Sequence, residues 1–335
     1  MATLKEVAER AGISVSTASY VLNGKKKVRP ETRERILRAA DEVGYIPNQI
    51  ARGLRTKRSG SIGIIVPDIS NEFFPEIVRG IEDYVNQNNY SMILCNSDNN
   101  LGKEQKYINT LIGKDIDGII FIGTGKSPDA LSAASDIPIV LVDRKLGDQL
   151  RSVTTNNRLG AFLATEHLIR CGYQSIALLS GPLYSKTFYD RMSGYMEALK
   201  KYGIHYDENL VCECEMADIQ HGYESAKALM LSGAADAIFS MNDLMALGTL
   251  RALWELGVSV PKDISVIGYD DIAYAAISTP ALSTVRQPKY EMGWEAAALL
   301  MECIENPAGE RRHIELEPSL VLRETTYAKK KVPDA

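Results

Sequence analysis

Carboxylate, guanidinium and amide side chains follow several short apolar runs in this 335-residue chain. An apolar run such as Ser61–Val66 predicts a buried β-strand, and a polar residue shortly after it would stand at the carboxyl end of that strand. A sugar hydroxyl can donate a hydrogen bond to Asp while it accepts one from Arg or Asn, so such a set suits a ligand with many hydroxyls. The predicted set is Asn71, Thr124, Asp143, Arg144, Arg191, Asn242, Asp270 and Gln287.

Two adjacent phenylalanines, Phe73 and Phe74, belong to the same predicted site. Aromatic rings offer a flat apolar surface on which the C–H face of a sugar ring can pack. Each residue also has an ordinary structural alternative. Phe73 could lie in the core, Arg191 could form a surface ion pair, and Asp270 could cap a helix.

Two series of alternating strands and helices are predicted to position these residues. Short, continuously apolar strands between helices indicate parallel sheets that are covered on both faces. We therefore expect two α/β units of similar size, one after the other, with a ligand cleft between them at the carboxyl ends of the strands. The predicted strands are 61–66, 91–95, 118–122 and 138–142 in the first unit, and 176–179, 210–212, 237–239, 264–268 and 284–286 in the second.

The first 23 residues have the pattern of a helix-turn-helix. Thr3 and Glu6 predict a capping box at the start of one helix, and Gly12 ends that helix because glycine tolerates a positive φ. Ser14 can then cap a second helix, whose buried side carries Ala18, Val21 and Leu22. In this motif the second helix enters the major groove of DNA with its N-terminal end. We expect Val15, Ser16 and Tyr20 at base edges, and the other contacts from Thr3, Ser14, Thr17, Ser19 and Asn23.

Charge is distributed unevenly along the chain. Residues 1–58 contain thirteen Lys and Arg against six Asp and Glu, which gives a net charge of +7. Since the whole chain has a net charge of −5, residues 59–335 have a net charge of −12. A basic segment on an acidic body is typical of a module that binds DNA phosphates. A run of charge is often no more than a solvated surface, but here it coincides with the helix-turn-helix.

A third helix from Pro30, with Ile36, Leu37, Ala40 and Val43 on its buried side, completes the predicted head-piece of residues 1–47. Residues 48–60 predict a linker with a short helix, which would be marginal in water and become ordered on DNA. Its Leu54 could wedge between base steps in the minor groove, or pack on the next domain. The expected DNA contacts here are Asn48, Ala51, Arg52, Leu54 and Arg55.

Several function classes are disfavoured by the sequence. No apolar run approaches the ~18 residues of a membrane-spanning helix, and the N-terminus lacks the apolar core of a secretory signal. Five scattered cysteines indicate a reducing cytoplasm, and neither they nor the four histidines have metal-site spacing. The glycine motifs of dinucleotide- and nucleotide-phosphate-binding enzymes are missing, and no nucleophile accompanies the candidate acids. We expect a protein that is not an enzyme and needs no cofactor.

The whole chain resembles the lactose/galactose repressor (LacI/GalR) family of bacterial transcription regulators. The matching motifs are Thr3-Leu4-Lys5-Glu6-Val7-Ala8, Val21-Leu22-Asn23-Gly24, Gly44-Tyr45-Ile46-Pro47-Asn48, Arg52-Gly53-Leu54, Pro67-Asp68-Ile69-Ser70-Asn71-Glu72-Phe73-Phe74, Asp117-Gly118-Ile119-Ile120, Arg191-Met192-Ser193-Gly194-Tyr195, Asn242-Asp243-Leu244-Met245-Ala246-Leu247-Gly248 and Val266-Ile267-Gly268-Tyr269-Asp270-Asp271.

The resemblance implies a small helical head-piece followed by a two-subdomain core (residues 61–335), similar to periplasmic sugar receptors. It also implies a homodimer or tetramer on a near-palindromic DNA operator, with a sugar effector in the core that stabilises one arrangement of the subdomains. The short, charged tail 325–335 favours a dimer. The polar and aromatic set looks like that of the ribose-type receptors, except that an aromatic residue of those receptors is replaced here by Met216 or Ala217. Tyr20 stands where many relatives have Arg.

We therefore expect a regulator, with repression favoured, of carbohydrate-utilisation genes that responds to a ribose-like aldose. The alternative is a catabolite-control type of regulator in the same family, which answers mainly to a protein partner or a phosphorylated metabolite. Asp143, Arg144 and Asn242 favour the sugar.

Overall fold

The computed structural model describes residues 2–22, 28–45, 58–123, 131, 137–144, 150–233, 235–307 and 309–329. The chain divides into two compact units, residues 1–60, which include the head-piece, and residues 61–335, which we call the core. No described helix is both long enough and apolar enough to cross a membrane. The predicted contacts outside the described residues are Asn23, Asn48, Ala51, Arg52, Leu54, Arg55 and Thr124.

Three helices form the described part of the head-piece: α1 (Leu4–Ala11), α2 (Val15–Leu22) and α3 (Pro30–Val43). The predicted capping box is present, because Thr3 N donates to Glu6 Oε2 at 2.9 Å and Glu6 N donates to Thr3 Oγ1 at 3.3 Å. Gly12 ends α1 with a φ of 62°. The small core consists of Val7, Ala11, Val21, Ile36, Ala39 and Ala40, with Leu22 and Val43 packed against it.

One prediction for α3 is wrong. Leu37 was expected on the buried side but is 44% exposed, and Ala39 is buried instead. Ile36, Ala39, Ala40 and Val43 have the i, i+3, i+4, i+7 spacing of one helix face, and Leu37 lies outside that face. The apolar character of Leu37 therefore led to the wrong assignment of the buried helix face at this position.

The core contains two parallel sheets. The first has the order β11-β5-β4-β3-β1-β2 and the second the order β7-β6-β8-β9. The strands of the first sheet are β1 (Ser61–Val66), β2 (Ser91–Asn96), β3 (Gly118–Phe121), β4 (Ile139–Val142), β5 (Arg151–Thr155) and β11 (His313–Leu316). Those of the second are β6 (Ile176–Ser180), β7 (Val211–Glu213), β8 (Ala237–Ser240) and β9 (Ser265–Ile267). An antiparallel pair, β10 (Thr284–Arg286) and β12 (Ser319–Val321), completes the described strands.

Helices pack on these sheets and define two subdomains. The first subdomain is the six-stranded sheet with α4 (Phe73–Gln87), α5 (Leu101–Ile112) and α11 (Lys289–Glu305). The second is the four-stranded sheet with α6 (Asn157–Arg170), α7 (Lys186–Lys201), α8 (Ile219–Ser232), α9 (Asp243–Glu255) and α10 (Ala273–Ile277). A single 3-10 turn, Glu208–Leu210, precedes β7.

The two units do not simply follow one another, as the sequence had suggested, and their sheets differ in size. After β10 the chain returns to the first subdomain, where α11 packs against α4 and β11 pairs in parallel with β5. The subdomains are therefore joined by several crossing segments. The alternation of strands and helices along the chain does not predict that the chain returns to the first subdomain.

Two glycines allow the close crossing of α4 and α11. A Cβ on Gly80 would lie 2.1 Å from the Tyr290 carbonyl oxygen, and one on Gly293 would lie 1.9 Å from the Ile77 carbonyl oxygen. Real side chains cannot occupy either position without a shift of the backbone. This contact holds the returning helix, and with it Lys289 at its start, against the first subdomain.

Candidate functional site

A cleft of about 540 Å³ lies at the carboxyl ends of strands from both subdomains of the core. Six of the predicted polar residues line it together with Phe73 and Phe74, so the topology brings the residues after these strands to one place. Its described lining is Pro67, Asp68, Asn71, Phe73, Phe74, Asp98, Asn99, Leu101, Asp143, Arg144, Pro182, Tyr184, Ser185, Thr187, Phe188, Arg191, Glu215, Met216, Ala217, Asp218, Asn242, Leu244 and Asp270.

The aromatic part of the first-subdomain lining is built at the start of α4. Asn71 Oδ1 accepts a hydrogen bond from the Phe73 backbone N–H at 3.1 Å, which fixes the entry to the helix. The rings of Phe73 and Phe74 meet edge to face, with centroids 5.2 Å apart and planes at 80°. Both rings are buried in the subdomain core and also border the cleft, so a core position does not remove Phe73 from the cleft.

Asp143 and Arg144 follow β4 and carry opposite charges into the cleft. Burial raises the pKa of the Asp143 carboxyl, while Arg144 and Arg191 oppose that shift. Burial also lowers the pKa of Arg144, against the opposing effect of Asp143. Within the described part of the chain, Asp143 Oδ1 and Arg144 Nε are buried without a hydrogen-bond partner. Buried polar atoms without partners are costly, so these two atoms favour a polar ligand or water.

The second subdomain contributes Arg191 from α7. Its Nε donates to Asn157 Oδ1 at 2.8 Å, and Nη1 donates to the Met241 carbonyl oxygen. Nη2 lies 3.6 Å from Asp270 Oδ1, and the guanidinium carbon is 3.7 Å from the centroid of the Tyr269 ring. Four groups therefore hold this buried cation in one orientation.

Asp270 follows β9 with a φ of 118°, a backbone conformation that side chains rarely adopt. Burial raises the pKa of its carboxyl to about 6, although Arg191 and the hydrogen bond from Gln287 oppose the shift. Gln287 Nε2 donates to Asp270 Oδ1 at 2.7 Å. Gln287 is not among the lining residues of the cleft, but its amide orients Asp270 and its Oε1 is buried without a partner among the described residues.

Lys289, which the sequence interpretation missed, ties the same turn to the first subdomain. Its Nζ donates to the carbonyl oxygens of Asp270 and Asp271 at 2.8 and 2.7 Å. It also lies 3.3 Å from Glu76 Oε2 on α4. Nothing in its surroundings in the sequence distinguishes this lysine from a surface residue, because the contact depends on the return of α11.

Asn242 reaches the cleft, but its side chain already has bonding partners. Its Oδ1 accepts from Met245 N at 2.8 Å, which caps α9, and its Nδ2 donates to the Ala217 carbonyl oxygen at 2.8 Å. The amide thus positions the 217 loop, and its donors and acceptors are largely committed to the protein.

The sequence interpretation also missed Tyr184, Ser185 and Phe188, which line the cleft between β6 and Arg191. Ser185 Oγ is buried and unpartnered among the described residues. Thr187 Oγ1 donates to the Asp143 carbonyl oxygen at 3.1 Å, so this segment touches both subdomains. Its position after a strand could have identified it, as it did Asn71.

Most of the charged residues in the described lining of the cleft are acidic. Arg144 and Arg191 are the cations among its described residues. The carboxylates outnumber them, and they are Asp68, Asp98, Asp143, Glu215, Asp218 and Asp270. Lys103 pairs with Asp98, but the other five carboxylates still outnumber the two guanidiniums, so the formal charge of the described lining disfavours an anionic ligand relative to a neutral one.

In the head-piece, α2 presents an exposed face. Ser14 Oγ accepts from Thr17 N at 3.2 Å and lies 2.8 Å from Thr17 Oγ1, so Ser14 caps the helix as predicted. Val15 and Tyr20 are each 45% exposed, and Ser16 is exposed. Thr3 is engaged in its capping box, and Ser19 is partly buried.

A helix-turn-helix unit joined in one chain to a core with a ligand cleft is the architecture of a ligand-responsive transcription regulator. Residues 3–48 match the family described as "Bacterial regulatory proteins, lacI family". Residues 165–326 match the family described as "Periplasmic binding protein-like domain". The chain is 37% identical over 333 residues to the HTH-type transcriptional repressor PurR of Vibrio atlanticus (strain LGP32), which covers 97% of this chain and 98% of that protein. The chain belongs to the lacI family, and this relative is a transcriptional repressor.

The chain is also similar to solved structures of transcription regulators. The lac repressor dimer bound to operator and the anti-inducer ONPF has a TM-score of 0.85 and 29% identity, and the match covers 98% of this chain and 99% of that one. A LacI family transcriptional regulator from Enterococcus faecium with bound ribose has a TM-score of 0.73 and 33% identity, covering 81% of this chain and 100% of that one. The family and its fold were thus correctly identified from the sequence motifs.

Proposed function

We propose that this chain is a repressor of carbohydrate-utilisation genes whose affinity for operator DNA is controlled by a neutral, ribose-like aldose in the cleft. The observation that carries the proposal is a cluster of polar atoms in the cleft, Asp143 Oδ1, Arg144 Nε and Ser185 Oγ, that are buried and lack partners among the described residues. Aldose hydroxyls can hydrogen-bond to such atoms while the ring packs on Phe73 and Phe74. The ribose-bound relative supports the same ligand class.

The charge of the cleft supports a neutral sugar over a phosphorylated one. A phosphate ester adds about −1.5 to −2 charges at pH 7. In this lining carboxylates outnumber guanidiniums, and Arg191 already faces Asp270. Like-charge repulsion would select against the ester. The catabolite-control alternative, with a phosphorylated metabolite as effector, is therefore less well supported.

The DNA-binding role would fall to residues 1–47, with 48–60 as hinge helix and linker and 61–335 as the effector-binding and dimerisation core. We place Val15, Ser16 and Tyr20 at base edges because they are exposed on α2. Ser14, Thr17 and Ser19 would contact phosphates, and Thr3 would lie at the start of α1. The hinge contacts Asn48, Ala51, Arg52, Leu54 and Arg55, together with Asn23, complete the proposed interface.

The proposed assembly is a homodimer on a near-palindromic operator, as in the lac repressor dimer bound to its operator. Trp254 and Ile277 in the second subdomain expose 70% and 74% of their surface in the single chain. Large apolar side chains that are exposed in the single chain provide surface that a second copy can cover. The near-palindrome follows because a twofold protein presents two copies of α2.

Control of DNA affinity would follow from a ligand that contacts both subdomains. Asp143 belongs to the first and Arg191 to the second, and a sugar bonded to both stabilises one relative arrangement. The ligand changes DNA affinity only by its differential affinity for the arrangements. Induction and corepression use the same cleft with opposite sign.

The test is a thermal-shift and calorimetric screen of the full-length protein against D-ribose, other aldoses, ribose 5-phosphate and purines. A ligand at 100 times its dissociation constant should stabilise the protein by about 2.7 kcal/mol. We expect D-ribose or a close aldose to shift the melting temperature, and ribose 5-phosphate to bind more weakly. A response to the phosphate ester or to a purine, without a response to any aldose, would contradict the proposal.

A further inference from the structure

We propose that Phe188 is the aromatic surface of the second subdomain against which the effector ring packs, and that it determines the specificity of the cleft. This inference rests on the proposed function, since it assumes a sugar-like ring between the two subdomains. Phe73 and Phe74 line the first-subdomain side of the cleft, and Phe188 lines the second-subdomain side.

The position of Phe188 on α7 directs it into the cleft. It precedes Arg191 by three residues, and side chains three apart lie on one face of a helix. Both residues line the cleft, and the Arg191 guanidinium carbon is 5.7 Å from the centroid of the Phe188 ring. A polar group for hydroxyls and an apolar face for C–H bonds thus stand side by side, as a sugar requires.

Two small residues make room for the ring. A Cβ on Gly181 would lie 2.6 Å from Phe188 Cε2, 2.7 Å from Cζ and 3.0 Å from Ala217 Cβ. Any larger side chain at 181 would displace the ring. Phe188 therefore occupies a slot bounded by Gly181 and Ala217, and its half-buried state leaves part of the ring for a ligand.

This placement explains the departure noted at positions 216 and 217. Ala217 carries no ring, but the space beside it is filled by Phe188 from α7. Met216 is 51% exposed at the border of the cleft and offers no flat face. The aromatic surface on this side thus comes from a helix and not from the loop after β7, so the shape of the cleft differs from one closed by a ring at 217.

Tyr184 is the competing aromatic residue of this side. It also lines the cleft but is 64% exposed, so most of its ring faces solvent. Phe188 is the more strongly confined of the two, and burying a sugar face on it requires less ordering of the side chain. The two residues can be separated by substitution.

The experiment measures D-ribose affinity by calorimetry for the full-length wild type, Phe188→Ala and Phe188→Leu. Leucine retains apolar volume and protects the fold, but it removes the aromatic face. We expect both variants to bind D-ribose at least about tenfold more weakly. The matched control is Tyr189→Ala, which removes the neighbouring, exposed ring on the same helix and should leave affinity unchanged.

A relocation variant tests the geometry directly. In Phe188→Ala combined with Ala217→Phe, a ring from the loop can occupy the slot that Phe188 vacates, and we expect most of the lost affinity to return. An unchanged affinity in Phe188→Leu, or a loss confined to Tyr184→Ala, would overturn the inference. A wild type that binds no aldose would instead refute the proposed function, so the two failures are distinguishable.

Discussion

The exposed face of α2 and the cleft of the core place their candidate functional residues in opposite environments. Val15 and Tyr20 on α2 are 45% exposed. In the cleft, Arg191 and Asp270 are buried and hold each other, together with Gln287, in fixed orientations. A side chain of the first kind contributes little to stability, whereas one of the second kind is part of the fold.

This difference follows from the ligands that each region is proposed to bind. DNA is large and brings its own water and counterions, so an exposed helix can meet it with ordinary side chains. A sugar is enclosed on several sides, and groups that bind it must be held in place before it arrives. Substitutions should therefore separate function from stability in the head-piece and couple them in the cleft.

The largest expected effect is that of Arg191→Ala. It would leave Asp270 buried without its cation, and removal of one partner of a buried ion pair typically costs about 3–5 kcal/mol. Sugar binding should also be lost, while the exposed face of α2 remains intact. Chemical denaturation and calorimetry measure the two effects. Lys186→Ala on the same helix removes an exposed ion pair and should cost at most about 1 kcal/mol. Equal stability of the two variants would contradict the proposed coupling.

The next effect concerns the head-piece. Tyr20→Ala should weaken binding to a DNA duplex selected by the wild type from a random pool by about 1–3 kcal/mol, the usual value of one base contact. Its melting temperature should not change, since the ring is exposed. Leu37→Ala is the control, because Leu37 is similarly exposed but lies on α3. A lower melting temperature of Tyr20→Ala with unchanged DNA affinity would contradict the claim that exposed residues of α2 act in DNA binding and not in stability.

A third prediction concerns pH and the cleft. Burial raises the pKa of Asp270 to about 6, and a sugar hydroxyl that donates to this carboxyl favours its ionised form. Sugar binding should then release a proton, and affinity should rise with pH until the carboxyl is ionised. Between pH 7.5 and 5 we expect a loss of about tenfold in affinity, because about one molecule in ten stays ionised one unit below the pKa. Calorimetry across this range, in buffers of different ionisation enthalpy, measures both the affinity and the released proton. An affinity that is constant or higher at pH 5 would exclude Asp270 as an acceptor.

The smallest expected effect is that of Thr3→Ala. Loss of a cap hydroxyl typically costs about 1 kcal/mol. Hydrogen exchange of the peptide that contains α1 should become about five times faster, while Thr3→Ser should exchange like the wild type. If Thr3→Ala leaves the exchange of α1 unchanged, the capping box is not what stabilises this helix.

How far the sequence predicts the molecule depends on the range of the interactions. The α1 capping box and the Gly12 exit were predicted in detail because each involves residues within one turn. The cleft was located because strand ends gather at one edge of a parallel sheet. Leu37 was misplaced because its apolar character was given more weight than helical spacing, which puts Ala39 on the face of Ile36, Ala40 and Val43.

The contacts around the cleft that the sequence did not predict join residues distant in the chain. Gln287 meets Asp270 because Arg286 and Asp270 form a parallel bridge, and Lys289 meets Glu76 because α11 returns to the first subdomain. Phe188 borders the cleft because Gly181 and Ala217 are small, and these two residues lie in different loops. No local pattern contains such information.

The most direct test of the account is the affinity of D-ribose for the full-length protein, measured by calorimetry with and without a saturating amount of the selected DNA duplex. Two sites that control one another must change each other's binding by the same factor. We predict that DNA changes the dissociation constant of ribose by the factor by which ribose changes that of DNA. Measurable ribose binding that is identical with and without DNA would contradict the claim that the cleft controls the head-piece.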